Sequence, residues 1–157
     1  MTTDEPRWLD DDEMAAWLPL VRVLVALPQA VDKRLREEVG ITHTYYAMLA
    51  TLSAQPDRSL TMGDLARLTG TSPSRLTHAI AVLEQRGWVV KHQCATDRRS
   101  QFAVLTDQGY AVLERIAPGH VAQVRELVFD RLTPEQIRNL ADIANALVGG
   151  IEELGEG

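Results

Sequence analysis

Residues 71–87 read TSPSRLTHAIAVLEQRG, and the reading of this stretch decides the fold. Ser72 stands in a helix-capping position, Pro73 takes the first helical place where its missing amide hydrogen costs nothing, and Gly87 supplies the stop. Leu76, Ile80 and Leu83 fall at helical spacing and make an inward stripe, which leaves Ser74, Arg75, Thr77, His78 and Ala81 on or near the outer face. Immediately upstream, residues 59–70 read SLTMGDLARLTG: Thr61 is suited to cap a helix, Leu65 and Leu68 are expected to face inward, and Gly70 ends it. Two short helices joined by so tight a turn are the pattern of a helix-turn-helix.

Downstream, Trp88–Val90 and Phe102–Leu105 have the composition of two strands, with CATDRRSQ between them. A hairpin that follows the second helix directly makes a winged helix, with Arg98 and Arg99 at the wing tip. In a helix-turn-helix the second helix enters the DNA major groove with its N-terminal residues at base edges. Ser74 and Thr77 are able to hydrogen-bond phosphates or bases there, Arg75 to reach guanine or phosphate, and His78 to do either. The tip arginines suit the narrow, negative minor groove, and Asp97 beside them is expected to orient a guanidinium rather than to meet DNA.

Around this centre the chain is helical. Met14, Trp17, Leu18, Val21, Leu24, Val25, Val31 and Leu35 follow helix periodicity over residues 11–39, capped by Asp10 or Asp11, with kinks expected at Pro19 and Pro28 and an end at Gly40. Thr42 is expected to cap a second helix through Leu52. After the hairpin, Thr106 caps a helix to about Leu132, interrupted at Pro118-Gly119, and Thr133-Pro134-Glu135 opens a last one. The expected fold is mainly α: a winged helix-turn-helix core with a β-hairpin wing between N- and C-terminal helices. A three-helix winged core cannot bury the apolar residues of both terminal helices. Leu127, Val128, Leu140, Ile143, Leu147 and Ile151 therefore predict a partner, and a second copy of the chain is expected.

Composition fits. The 157 residues carry a net charge of −6, which by itself argues against a nucleic-acid partner. Residues 58–99, however, hold seven Arg and Lys against three acids, +4 in all, so the remainder carries −10. A basic island in an acidic chain is an electrostatic footprint. The acidic N-terminus is unlike a basic leader, apolar runs are broken well short of about 18 residues, and a lone Cys94 excludes an intrachain disulfide framework. No membrane partner and a cytoplasmic location are expected. There is no glycine-rich phosphate loop, nucleophile elbow or metal-ligand pair at helical spacing, so neither catalysis nor a cofactor or metal is expected. His92 and Cys94 share a strand face, but two ligands do not make a zinc site.

The sequence resembles the multiple-antibiotic-resistance regulator (MarR) family of bacterial winged-helix transcription factors. The resemblance rests on the pattern D-x-R-x5-L-T at Asp97, Arg99, Leu105 and Thr106 and on residues 62–89, MGDLARLTGTSPSRLTHAIAVLEQRGWV. It implies a repressor acting as an obligate homodimer on double-stranded DNA, at a pseudo-palindromic operator. The whole chain would form one such domain, with dimerisation helices at about 8–40 and 107–154 and the DNA-binding part at about 42–106. Arg99 becomes the minor-groove arginine with Asp97 positioning it. Thr61, Ser72, Ser74, Arg75, Thr77, His78 and Arg98 complete the DNA-facing set. Release by a small, often aromatic, molecule is also implied, with Trp17, Val21, His43, Tyr46 and Met62 as the expected lining and Trp8 and Trp88 as packing residues. Two departures stand out: His78 where many members have Arg, and Cys94-Ala95 where many have Asp-Pro. The competing reading is a winged-helix protein–protein interaction module, which has no need of Arg98 and Arg99 above a basic helix.

Overall fold

The computed structural model describes residues 6–93 and 101–155. The expectations at Cys94, Asp97, Arg98 and Arg99 lie outside the described residues. The elements run α1 (Asp11–Val39), α2 (His43–Ser53), β1 (Ser59–Thr61), α3 (Met62–Leu68), α4 (Pro73–Gln85), β2 (Val89–Gln93), β3 (Gln101–Leu105), α5 (Asp107–Leu127), a 3-10 turn (Phe129–Arg131) and α6 (Pro134–Gly155). The chain falls into two compact units, Met1–Ile116 and Ala117–Gly157, with the boundary inside α5.

Local chemistry accounts for most of these boundaries. Asp10 opens α1 with a reciprocal capping box, its carboxylate accepting from the Glu13 amide at 2.8 Å while the Glu13 side chain accepts from the Asp10 amide at 2.9 Å. Gly40 closes α1 in the left-handed conformation, φ +68°. The helix runs unbroken through Pro19 and Pro28, and α5 likewise through Pro118, so the expected interruption of α5 is absent. Helix α5 ends at Leu127, and the 3-10 turn takes the place of its expected last residues. Thr42 holds the capping position of α2, but its side chain makes no cap bond. Asp32, reaching over from α1, accepts from the His43 amide at 2.6 Å instead. A tertiary partner has replaced the local one, which sequence periodicity does not reveal.

The first unit is built around one buried cluster. Leu35 of α1, Ile41, Met48, Leu49 and Leu52 of α2, Leu65 of α3, Leu76, Ile80 and Leu83 of α4, Val89 and Ile116 are almost fully enclosed. Leu68, expected inside, is 51% exposed, because Leu65 and Ala66 alone fill the inner side of the short α3. Trp88 packs as expected, whereas Trp8 is 83% exposed.

The sheet has three antiparallel strands in the order β1-β3-β2. Strand β3 is central: Ala103 pairs with Leu60 on one side and Lys91 on the other. The three-residue β1 gives no periodicity signal, which is why the sequence reading contains only the hairpin. Thr106 joins this sheet to the end of α4. Its hydroxyl donates to the Gly87 carbonyl at 2.7 Å and accepts from the Gly109 amide at 3.0 Å, and its own amide donates to the Trp88 carbonyl at 3.0 Å. Gly109 is required there, since a Cβ would run into the Trp88 carbonyl oxygen.

In the second unit, Thr133 and Gln136 form a reciprocal box at the start of α6, with bonds of 2.9 and 3.2 Å. Leu140, Ile143, Leu147 and Ile151 repeat at helical spacing along α6 and all are exposed in the single chain.

Thr106→Val keeps the side-chain shape and removes both hydroxyl bonds. It is expected to destabilise the fold by about 2 kcal/mol, read as a lower urea midpoint with an unchanged m-value.

Candidate nucleic-acid interface

The burial of Leu76, Ala79, Ile80 and Leu83 fixes the rotation of α4 about its own axis. Ser72, Ser74, Arg75, Thr77 and His78 are consequently exposed together on its N-terminal half. Ser72 sits at the capping position in extended geometry, φ −63° and ψ 150°, and makes no side-chain cap bond. Its hydroxyl is not spent on the helix. Thr77 differs, since its hydroxyl donates back to the Pro73 carbonyl at 2.9 Å, leaving the oxygen as an acceptor and the methyl as an apolar contact. Thr61 is placed as the cap of α3, half-buried, its hydroxyl accepting from the Asp64 amide at 3.0 Å and donating to the Asp64 carboxylate at 2.8 Å. That bond from Thr61, reinforced by Arg67, holds the Asp64 carboxyl below its ordinary value. The stabilisation is present above the ordinary carboxylate range and is lost as pH falls through the lower, folded value.

Charge pairing sorts the basic island. Arg58 bridges Asp107 at 3.0 Å and lies over the Tyr110 ring at 3.8 Å. Arg67 pairs with Asp64 at 3.2 Å and Lys91 with Glu84 at 3.0 Å. Arg86 donates to two backbone carbonyls. Among the described residues, Arg75 has no carboxylate partner, and it stands on the outer face of α4 beside Ser74 and His78.

A groove of about 530 Å³ runs from this face to the start of α2. Thr42, His43, Thr44 and Tyr45 form one wall, Thr69, Gly70 and Thr71 the floor at the turn between α3 and α4, and Ser74, Arg75 and His78 the other wall. The lining is hydroxyl-rich and basic, with no carboxylate in it. Sequence reasoning did not find Thr42, Thr44, Thr69 and Thr71 as part of a site, because only the tertiary approach of α2 to α4 brings them together. Of the expected effector-lining residues, His43 borders this groove and stacks on Tyr46, ring centres 6.2 Å apart. Tyr46 is buried, which pushes its hydroxyl pKa up. Val21 and Met62 are half-buried in α1 and α3, and Trp17 is 48% exposed on α1. Trp17, Val21, Tyr46 and Met62 do not line the groove.

Known proteins share this fold. The MarR family model matches residues 39–100, from the end of α1 into the wing. The structure superposes on Sco3205 of Streptomyces coelicolor, a MarR family transcriptional regulator solved in complex with DNA, with a TM-score of 0.90 and 46% identity over 94% of this chain and 92% of that one. The chain belongs to the MarR family. AbsC, another MarR family regulator of Streptomyces coelicolor, gives a TM-score of 0.88 and 35% identity over 94% of this chain and 99% of its own. The transcriptional repressor MprA of Escherichia coli is 26% identical over 115 residues, 73% of this chain, and the match spans 65% of that protein's length. The winged-helix fold is thereby shown, with β1 as an added third strand, and the chain is a DNA-binding transcription regulator of this family.

Arg75→Ala is expected to weaken DNA binding and to reduce the slope of log affinity against log salt by about one, as for loss of one phosphate contact. If Arg75 reads a guanine, the slope holds and discrimination at one base pair relaxes. Fluorescence anisotropy over a salt series separates the two.

Proposed function

We propose that this protein is a homodimeric, sequence-specific repressor, cytoplasmic, bound to a pseudo-palindromic operator and released by a small, aromatic-type ligand. The observation that carries the reading is the outer face of α4. Ser72, Ser74, Arg75 and His78 stand exposed there, with an uncompensated cation and a carboxylate-free groove beside them. The wing strands β2 and β3 leave the same core, and the residues between them include Asp97, Arg98 and Arg99.

Dimerisation is supported by apolar surface that the single chain leaves in water. On α1, Leu18, Val23, Leu24 and Val25 are each more than half exposed, and on α6 Ile143, Val148 and Ile151 are as well. By length and hydropathy alone α1 is also apolar enough to cross a bilayer. A protein partner suits it better, since the likeness to Sco3205, a DNA-bound regulator, runs over 94% of this chain. A two-fold pair would set two recognition helices about one DNA turn apart. The organisation that follows is helices at about 8–40 and 107–154 for dimerisation and residues 42–106 for DNA. For the effector, the stacked His43 and Tyr46 are the aromatic centre of a site that Trp17, Val21 and Met62 would complete.

One experiment tests the reading: anisotropy of the purified protein on DNA from its own upstream region and on a random pool, at two salt concentrations, with Arg99→Ala alongside. Expected is tight, salt-sensitive binding that Arg99→Ala weakens by about 10²-fold, with sedimentation and helix content unchanged. Equal binding by the two proteins removes the wing mechanism. No binding at low salt favours a protein–protein interaction module. Separately, Leu147→Glu on α6 is expected to give a monomer by analytical ultracentrifugation and to abolish tight operator binding.

A further inference from the structure

Arg86 occupies the C-cap of α4, at the end of the helix remote from Ser72–His78. Thirteen residues at about 1.5 Å each put it about 20 Å from that end, too far for it to share the base-reading face. Its guanidinium is engaged elsewhere through both terminal nitrogens. Nη1 donates to the Val39 carbonyl at 2.7 Å and Nη2 to the Gly40 carbonyl at 2.9 Å, the carbonyls of the last residue of α1 and of its C-cap. The same group lies over the Trp88 ring at 5.0 Å. Gly40 is left-handed, and a Cβ on it would stand 3.3 Å from Nη2, so the close approach and the turn select the same residue.

These bonds join helix ends that are 46 and 47 residues apart in sequence. The carbonyls at a helix C-terminus lack intrahelical donors and carry the negative end of its dipole, so a guanidinium fork satisfies them in both charge and geometry. The two bonds therefore fasten the C-terminal end of α4 directly to the C-terminal end of α1. We infer that Arg86 is a positioning residue for DNA recognition: it fixes the recognition helix against α1 and so sets the separation of the two recognition helices in the pair. The inference rests on the proposed homodimeric DNA-binding reading, in which α1 belongs to the dimer interface.

The test uses the full chain, with Arg86→Met, which keeps the aliphatic stem against Trp88 and loses every donor, and Arg86→Lys, which keeps the charge and loses the fork. The DNA probes are a duplex selected by the wild type from a random pool and two versions with the half-site spacer longer or shorter by one base pair. The wild type is expected to lose about 10-fold at each altered spacer. Arg86→Met should bind the selected duplex about 10-fold more weakly and discriminate spacers only about 2-fold, with Arg86→Lys between them. The salt slope stays at its wild-type value, because no phosphate contact is touched.

A merely structural arginine lowers stability and affinity at all three spacers together. A wild-type spacer ratio in Arg86→Met therefore overturns the inference, whatever its melting temperature. If that variant does not fold, the same comparison on Arg86→Lys decides. A wild type that binds DNA without spacer preference overturns the paired geometry and this inference with it, whereas a wild type that binds no DNA overturns the DNA-binding reading itself.

Discussion

The structure depends on the burial of one stripe of α4. An α-helix has 3.6 residues per turn, so committing Leu76, Ala79, Ile80 and Leu83 to the interior leaves no freedom in what the opposite side presents. Ser74, Arg75 and His78 are outside because the leucines and isoleucine are inside. The core against which α4 lies comes from α2, α3 and the sheet, whose central strand holds Ala103 and Leu105 inward. Thr106 then ties the last wing strand to the residue that ends α4, so recognition helix and wing share one hydrogen-bonded joint. The Leu-Thr that closes the family's wing pattern has a physical role in this joint: Leu105 is core and Thr106 is the clasp.

Local chemistry and long-range chemistry divide the elements cleanly. Helices α1, α3 and α6 begin with caps made by their own first-turn residues, Asp10 with Glu13, Thr61 with Asp64, and Thr133 with Gln136. Helix α2 does not. Its cap is Asp32, eleven residues upstream on α1, so the start of α2 forms in full only when α1 is docked. The far ends of α1 and α4 meet through Arg86 in the same way. The long first helix is therefore fastened to the DNA-binding part by side chains at both Asp32 and Arg86, beyond the apolar contacts of Val31 and Leu35.

This division explains what was legible in the sequence. The helix-turn-helix, the order of elements and the inward set of α4 could be read because caps, glycines and periodicity are local. Strand β1 could not, since three residues carry no period and exist as a strand only through their pairing with Phe102–Val104. Leu68 was misplaced because a seven-residue helix has room for few inward positions, and Leu65 and Ala66 already fill them. Pro118 reads as an interruption, yet α5 continues through it, as a long helix with many remaining bonds can absorb one lost donor. The groove beside α4 was illegible in its threonines, because they come from the start of α2 and from the α3–α4 turn, which only the tertiary fold brings together.

Charge gives the same lesson at finer grain. The basic island of residues 58–99 reads as a footprint by count, but most of its cations already have work. Arg58 and Arg67 are in ion pairs, Lys91 is bound to Glu84, and Arg86 is spread over two carbonyls and a Trp ring. A paired cation contributes little field at a distance, because its partner cancels it within a few ångströms. Of the seven, Arg75 is the described one with neither a carboxylate nor a carbonyl partner among the described residues, and it lies on the outer face of α4, the face proposed to meet DNA. The sign of the island therefore says less than its residual, and the residual lies on the outer face of α4. An acidic protein can bind a polyanion on these terms, since attraction is set by the few uncancelled cations at the contact and by the −10 being carried on residues outside the island.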